Sequence, residues 1–561
     1  MRYTIVDSAE FTYPDQIVYP TSARTAEMDA PRGGYASFQV LLECLKPDHV
    51  QENWLPEAIY NDPAVLELAK RGFPRAENIR IETNFPFAAD WYTLVPVTVE
   101  GHPNMFPEVV PYEPHFPERI APYRIYDCLR PFDGTVDVGV GDGRVPDTGI
   151  GGLYCAIRIP ENAEPGIYTS DVTISYGEES VTFPITVKVH KAVLPAESLY
   201  VLLAYFSHNT GKYHGKSAEC NSFVTEMDDA YLKMMRHMRM NSLYVGGFKS
   251  EKVGDNQYRF DFTELETKMR HYVSLGFKHF MLPALGGRVS WETSTIRIHG
   301  GLDAMSYEAY CYLAQYLPAL REMLQKNGWL DKVMMSVCDE PNDANATEFR
   351  ALAGLARKFA PEIPLADALS FCNIHGALDI LIPLNAQYDM HQKEFETLRA
   401  HGGDLWHYTS CSPRHDHIYK NYINRFMDNP LLGTRYLFWG NYKYNLTGYL
   451  HWAVNCYQPG QDPFVQNCPE HHNADMCFRL PAGDTHLIYP GKDGPWLSIR
   501  GESQRESAEE YEMLKALSAV DKEKADAICN EVFRSFRDVE YDISLFRAAR
   551  KKLLEALSEV Q

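Results

Sequence analysis

The stretch VMMSVCDEPND, residues 333–343, decides how this chain is read. A short apolar run ends on two adjacent carboxylates, Asp339 and Glu340, and Pro341 stops the extended segment at once. Helical periodicity flanks it on both sides, in YEAYCYLAQYLPALREMLQKNG (307–328) before and ATEFRALAGLARKFA (346–360) after. A brief buried strand between amphipathic helices is the repeating unit of parallel α/β structure. The same alternation runs outward through YVLLAYF (200–206), SLYVGG (242–247), HFMLPAL (279–285), PLADAL (364–369), DILIPL (379–384), DLWHYTS (404–410) and GYLHWAVNCY (448–457). With VMMSV these make eight strands, the number that closes a TIM-like (β/α)8 barrel, which the spacing predicts over 196–517. SFCNIHGA (370–377) is too short to carry a full helix between the fifth and sixth strands. No strand is followed by GxGxxG and no Walker loop occurs, so a doubly wound nucleotide-binding sheet is disfavoured and no cofactor is expected.

Upstream of this region the period changes. Residues 1–195 carry β-branched, alternating stretches such as ASFQVLLECL (36–45), YTLVPVTVE (92–100), GLYCAIRIP (152–160) and SVTFPITVKVH (180–190), separated by Pro, Gly and Asn/Asp clusters. They predict an N-terminal β-sandwich. Beyond the eighth strand, residues 458–496 read as irregular, and a C-terminal helical extension over 518–561 reads as a solvated amphipathic tail packing on the barrel or on a second subunit, which leaves a homodimer open. The fold class is therefore multidomain, all-β followed by α/β.

Charge narrows the partners. Lys and Arg number 54 against 75 Asp and Glu, a net charge of −21 that argues against nucleic acid and anionic membranes and suits a small neutral glycan. The 35 Tyr, 27 Phe and 8 Trp include rings on which the apolar faces of sugars can stack. No apolar run is long enough to span a bilayer. The N-terminus lacks a basic and apolar leader pattern, and the twelve cysteines contain no CxxC pair, so a cytoplasmic chain with reduced thiols is expected; a trimmed leader would leave the same sequence.

In barrels of this class the C-terminal strand ends carry the chemistry, and Asp339 and Glu340 lie at such an end. Glycosidic cleavage needs an acid for the departing oxygen and a second group to stabilise the cationic anomeric carbon. A neighbouring carboxylate raises the pKa of a candidate acid, so the two can hold different protonation states. The seventh and eighth strands end in aromatics, His and Asn without an acid, although Asp367 and Asp389 stay open as nucleophiles. That pattern favours a 2-acetamido oxygen of the substrate as nucleophile, with Asp339 orienting the amide and Glu340 acting as acid and then base.

Tyr388, Trp406, Tyr408, Trp452 and Asn455, on or past the late strand ends, are expected to wall a sugar pocket. His208, Asn209 and Arg288 follow the first and third strands and are expected to meet sugar hydroxyls. CPEHHNADMC (468–477) brings Cys468, His471, His472 and Cys477 within ten residues, but the spacing departs from the usual zinc pairs and no metal is expected. The loop residues His415, Asp416 and His417 read as a solvated or substrate-facing turn, and the absence of GxSxG disfavours a serine hydrolase.

The chain resembles glycoside hydrolase family 123. The resemblance is carried by Asp339-Glu340-Pro341, DLWHYTSC (404–411), LFWGNYKYNLTGYLHWAVNCY (437–457), GDTHLIYPG (483–491) and SIRGESQRESAEEYEML (498–514), with GGYASFQVLL (33–42) and PGIYTSDVTIS (165–175) upstream. It implies a β-sandwich followed by a (β/α)8 barrel, retaining substrate-assisted hydrolysis, and preference for N-acetylgalactosamine, with the family's Asp-Glu pair at Asp339 and Glu340. His407, at a position often aromatic, and a long segment over 458–483 depart from the pattern. The expectation is an exo-acting glycoside hydrolase of β-N-acetylhexosaminidase type. The alternatives are a same-fold glycosidase using Asp367, Asp389 or another acid as nucleophile on a sugar without an acetamido group, and a non-catalytic sugar-binding protein.

Overall fold

The computed structural model describes residues 1–103, 117–139, 148–208, 210–214, 223–415, 419–473 and 476–561. Asn209, Asp416 and His417 lie outside the described residues.

Eight strands form one sheet: β1 (Tyr200–Tyr205), β2 (Ser242–Tyr244), β3 (His279–Leu282), β4 (Val333–Met335), β5 (Ala366–Leu369), β6 (Ile380–Pro383), β7 (Asp404–Tyr408) and β8 (Gly448–Ala453). Each falls inside one of the eight stretches read as strands. Their order, β4-β3-β2-β1-β8-β7-β6-β5, is that of the chain, and the pairings are parallel. At the two ends of this order β4 and β5 meet, where Met335 bridges Leu365 in parallel and its N–H donates to Pro364 O at 2.9 Å. Met281, Leu282, Met334, Met335, Ile382 and Leu405 are all buried, which is why these strands read as apolar runs rather than alternating ones.

Helices between the strands begin and end on the residues their sequence supplies. Thr225 and Asp228 form a reciprocal capping box at Glu226–His237. Ser306 Oγ accepts from Ala309 N at 3.1 Å to start Tyr307–Asn327, and Gly328 ends that helix at φ 69°. Residues 370–379 form no helix, as so short a connection requires. Among the described residues no helix is long and apolar enough to cross a membrane.

The N-terminal region builds two larger sheets beside a three-stranded one made of His49–Gln51, Phe73–Ala76 and Val136–Asp137. Seven strands, in the order Arg2–Asp7, Tyr35–Glu43, Gly151–Arg158, Ala89–Val99, Tyr123–Pro131, Pro495–Ser498 and Tyr489–Pro490, form one. Ala26–Arg32, Glu179–Val193, Gly166–Tyr176 and Arg80–Thr83 form the other. Strand alternation divides the larger sheet's residues between two cores. Phe38, Val40, Leu153 and Ile157 pack with Val172, Ile174, Phe183 and Ile185 of the smaller sheet. Leu41, Tyr154 and Ala156 join instead the core that contains residues of β2–β8.

One expectation is corrected and one is made more specific. Residues 458–496 are not wholly irregular: Glu470–Asn473 pairs with Met476–Arg479, and Pro495–Ser498 extends the N-terminal sheet through Leu497–Leu129 and Ser498–Cys128. Strands of two to four residues leave no readable period. The C-terminal helix Ile543–Val560 packs on the helical layer between β7 and β8, with the Phe546 ring 5.6 Å from Tyr436 and 6.0 Å from Trp439, and also on the smaller N-terminal sheet. Ala192 N donates to Ser558 Oγ at 3.0 Å and Val193 N to Gln561 Oε1 at 2.6 Å, while Phe546, Leu553 and Leu554 are buried.

The helix Ile499–Ser518 joins these parts through buried charges. Arg500 grips Asp127 with Nε and Nη2 at 2.9 and 3.0 Å, and Arg505 holds Glu502 and Glu509, each at 2.7 Å. Glu510 accepts from Arg435 Nε at 2.9 Å and Nη2 at 2.6 Å, from Trp439 Nε1 at 2.9 Å and from Arg550 Nε at 2.9 Å. Burial raises the Glu510 pKa, but Arg435 and Arg550 outweigh it and the net shift is downward. A depressed carboxylate stabilises the fold above its unfolded pKa, and that contribution is lost as pH falls through the folded one. Glu510→Ala removes the buried carboxylate that Arg435 and Arg550 share and leaves Arg435 only Glu506, so the unfolding free energy is expected to drop by about 3–5 kcal/mol, read from the denaturant midpoint.

Candidate active site

Asp339 and Glu340 sit four and five residues past the last residue of β4, on a turn braced from several sides. Glu340 has φ 45°, a left-handed conformation that a side-chain-bearing residue holds only when its surroundings compel it. Arg288 supplies part of that compulsion, its Nη2 donating to Asp339 O at 2.7 Å and Glu340 O at 2.9 Å. Cys372 Sγ donates to Pro341 O at 3.3 Å, and Asn342 Nδ2 to Trp291 O at 2.7 Å. Beneath the turn, Asp367 on β5 accepts from Val337 N at 2.7 Å, Cys338 N at 3.2 Å and the Ser336 hydroxyl. None of these braces engages the Asp339 or Glu340 carboxyl, so both are left for chemistry.

Tyr408, the last residue of β7, donates its hydroxyl to Glu340 Oε1 at 2.6 Å. This bond and the Arg288 charge lower the Glu340 pKa, but desolvation outweighs them and the net shift is upward. Asp339 keeps an accessible face, yet desolvation, then the charges of Glu340 and Asp367, push it up to about 8 against the pull of Arg288. Water reaching that face softens the effect without changing its sign. Both carboxyls are therefore shifted upward, and the charge of an ionised Glu340 disfavours ionisation of Asp339.

The remaining expected residues divide. Tyr408 reaches the pair, and Arg288 supports it through its carbonyls, with its guanidinium stacked 4.5 Å over Trp291. Trp452, half-buried, gives Nε1 to Asp484 Oδ2 at 2.9 Å. Asn455 is fully buried and uses its amide to tie Ser207, accepting from its N at 2.8 Å and donating to its O at 3.0 Å. His208 lies against the Tyr272 hydroxyl at 3.4 Å, its imidazole held neutral to about 4 by burial and then Lys268.

Tyr388 and Trp406 depart from the expected pocket wall. Tyr388 is buried on the helix Asn385–Met390 and donates to Glu396 at 2.6 Å. Trp406 is buried beside Gly448, the first residue of β8, and Tyr200, the first residue of β1, towards the end of the sheet opposite Glu340. Gly448 has no side chain because a Cβ there would come within 2.2 Å of the indole. Position along the strand decides this: 406 and 408, two residues apart, share a face, but 406 falls inside the strand and 408 at its end.

The alternative nucleophiles are engaged elsewhere. Asp367 is buried and spent on the β4 turn, and Asp389 accepts from Tyr422 at 2.8 Å and pairs with Arg537 at 3.5 Å.

Three residues near the pair escaped sequence reasoning. Tyr205 and Tyr244 end β1 and β2 and stack at 5.6 Å. Burial and then the Asp339 charge raise both phenols, and Tyr205 is 59% exposed. Their signal was an aromatic at a strand end, the same one that picked out Tyr408. Asp484, fully buried, accepts from Trp452 and faces His451 Nε2 at 3.3 Å. His451 Nδ1 accepts from Arg425 at 2.5 Å and Ala453 N at 3.1 Å, which places the ring proton on Nε2 towards Asp484. Nothing in a linear reading of GDTHLIYPG links Asp484 to Trp452.

The Cys/His segment is also rearranged. Cys468 is buried and donates to Gly101 O at 3.3 Å, and His471 faces Gln458 and Trp452. His472 and Cys477 meet on the outer face of the hairpin together with Glu470.

Residues 205–517, more than half of the chain, match the family model described as glycoside hydrolase 123, catalytic domain. No curated protein matches the chain. Among solved structures, a family 123 glycoside hydrolase from Clostridium perfringens, studied for glycolipid glycan hydrolysis, superposes with a TM-score of 0.71 at 13% identity, over 100% of this chain and 98% of that one. An Ig-like-domain GH10 xylanase from termite gut reaches a TM-score of 0.32 at 9% identity, over 66% of this chain and 92% of its own. A GH2 beta-galacturonidase from Eisenbergiella tayi reaches 0.33 at 8%, over 85% and 69%.

Proposed function

This chain belongs to glycoside hydrolase family 123 and hydrolyses glycosidic bonds, and from that premise we propose that it is an exo-acting, retaining β-N-acetylhexosaminidase working by substrate assistance. The preference for N-acetylgalactosamine follows the family resemblance. The C. perfringens enzyme is described with glycolipid glycans, and we carry to this chain the terminal β-linked residue of such a glycan as candidate substrate. The (β/α)8 reading of the catalytic region is supported by the sequential strand order and the Met335–Leu365 bridge.

One observation carries the mechanism: Glu340 and Asp339 share a turn, while Asp367, Asp389 and the buried Asp484 are tied into other contacts. The substrate's acetamido oxygen attacks the anomeric carbon as the C1–O bond breaks, and Glu340 delivers its proton to the departing oxygen. Asp339 accepts the amide N–H and stabilises the positive charge of the oxazolinium ion. Water then opens that ion at the anomeric carbon with Glu340 as base, and the two inversions give net retention. Tyr205, exposed beside Asp339, offers a ring for the sugar's apolar face.

In the free enzyme the Tyr408 bond favours charge on Glu340, while burial and that charge favour the neutral form of Asp339; a proton shared by the pair then sits on the residue opposite to the one the first step needs. An amide N–H donated to Asp339 favours the ionised form there and moves the proton to Glu340. Activity belongs to the one-proton state, so kcat/KM is expected to fall as pH rises through about 8, where both groups ionise, and again at acid pH, where both are protonated. Tyr408→Phe removes a bond that holds Glu340 ionised, raises its pKa, and should move the acid limb to higher pH. An unmoved limb in the pH profile would count against the shared proton.

The assignment is tested with aryl β-glycosides of N-acetylgalactosamine, N-acetylglucosamine, galactose and glucose. Turnover confined to the 2-acetamido sugars, with competitive inhibition by an oxazoline-mimicking thiazoline, is expected. Equal turnover of the galactoside with indifference to the thiazoline would overturn substrate assistance.

A further inference from the structure

The hairpin Glu470–Asn473/Met476–Arg479 arranges three metal-ligating side chains that the linear spacing did not reveal. Glu470 and His472 are two residues apart on one strand and so share a face. Cys477 stands directly opposite His472 in the antiparallel register, with Sγ 3.8 Å from Nε2. The ligand atoms of all three lie within 4.8 Å of one another, and the residues are exposed. Arg479, the cross-strand neighbour of Glu470, is engaged elsewhere, donating Nε to Cys468 O at 2.9 Å and pairing with Glu100 at 3.6 Å.

We propose that Glu470, His472 and Cys477 bind a zinc ion that pins this hairpin against the face of Trp452. A tetrahedral zinc with bonds of about 2.3 Å to sulfur and about 2.0–2.1 Å to nitrogen separates those two atoms by about 3.6 Å, so the observed spacing needs to close by only a few tenths. A thiolate, an imidazole and a carboxylate suit a borderline-soft cation, whereas calcium and magnesium take oxygen ligands. Solvent fills the fourth position, and binding releases the thiol proton.

The consequence lies on the hairpin's other face. His471, between Glu470 and His472, points away from the triad and sets its ring 5.7 Å from Trp452, with Nδ1 2.9 Å from Gln458 Oε1. A two-stranded hairpin is marginally stable by itself, so a cross-strand ion would fix the strand that carries this contact.

The test uses the full, reduced chain stripped by a chelator and titrated with Co2+. One equivalent should produce a thiolate-to-cobalt charge-transfer band that Zn2+ displaces. Cys477→Ser should abolish the band, Cys44→Ser at another exposed cysteine should keep it, and His472→Ala should weaken binding more than about tenfold. Amide exchange over 470–479 should slow when zinc is added. Absence of the band, or its survival in Cys477→Ser, overturns the site; exchange unchanged by bound zinc overturns the pinning.

Discussion

Glu340→Gln is expected to lower kcat/KM by about 10²–10⁴-fold on a substrate with a sugar leaving group. The leaving alkoxide needs a proton that an amide cannot give. A nitrophenyl leaving group departs without one, so its loss should be much smaller, and the ratio between the two substrates isolates proton donation from binding. With Glu340→Ala, azide can enter the emptied volume and attack the oxazolinium ion, restoring turnover as a glycosyl azide of retained configuration. The protein should remain folded: glutamine keeps the shape and can still accept the Tyr408 hydroxyl, while a carboxyl that burial penalises is removed. Undiminished turnover on the poor leaving group would remove Glu340 from the acid role.

Asp339→Asn is expected to cost about 10²–10³-fold in kcat, by a different route. Asparagine preserves size but loses the negative charge that holds the acetamido N–H and offsets the oxazolinium charge. The defect should therefore persist with nitrophenyl substrates, should not yield to azide, and should come with weakened thiazoline binding. Measuring thiazoline inhibition in both variants separates the two carboxyls: it should collapse in Asp339→Asn and survive in Glu340→Gln. The opposite pattern would exchange their roles.

The sequence made the eight strands legible because buried parallel strands are apolar on both faces and stand between helices with a 3.6-residue period. It also made the Asp339–Glu340 turn legible, since two adjacent acids closing an apolar run are conspicuous. Distances along the chain could not tell which aromatic of a strand faces the reacting end. Trp406 and Tyr408 belong to the same five residues, yet one is buried beside Gly448 and the other bonds Glu340. Tyr205 and Tyr244 carried a signal of the same kind, but an aromatic that closes a short apolar strand is equally consistent with core packing.

By itself, the sequence determined the periods, the caps and the acid pair, all of which depend on residues near one another in the chain. Tertiary structure decided what those residues touch. Arg288 became a clamp on two carbonyls, Asp367 a support beneath the β4 turn, and Asp484 the partner of Trp452. A buried polar group must find a hydrogen-bond partner, and in these cases that partner lies 29 to 52 residues away, on another strand or loop. The chain's local pattern fixes where a carboxylate or guanidinium stands; its job is fixed by what the fold brings against it.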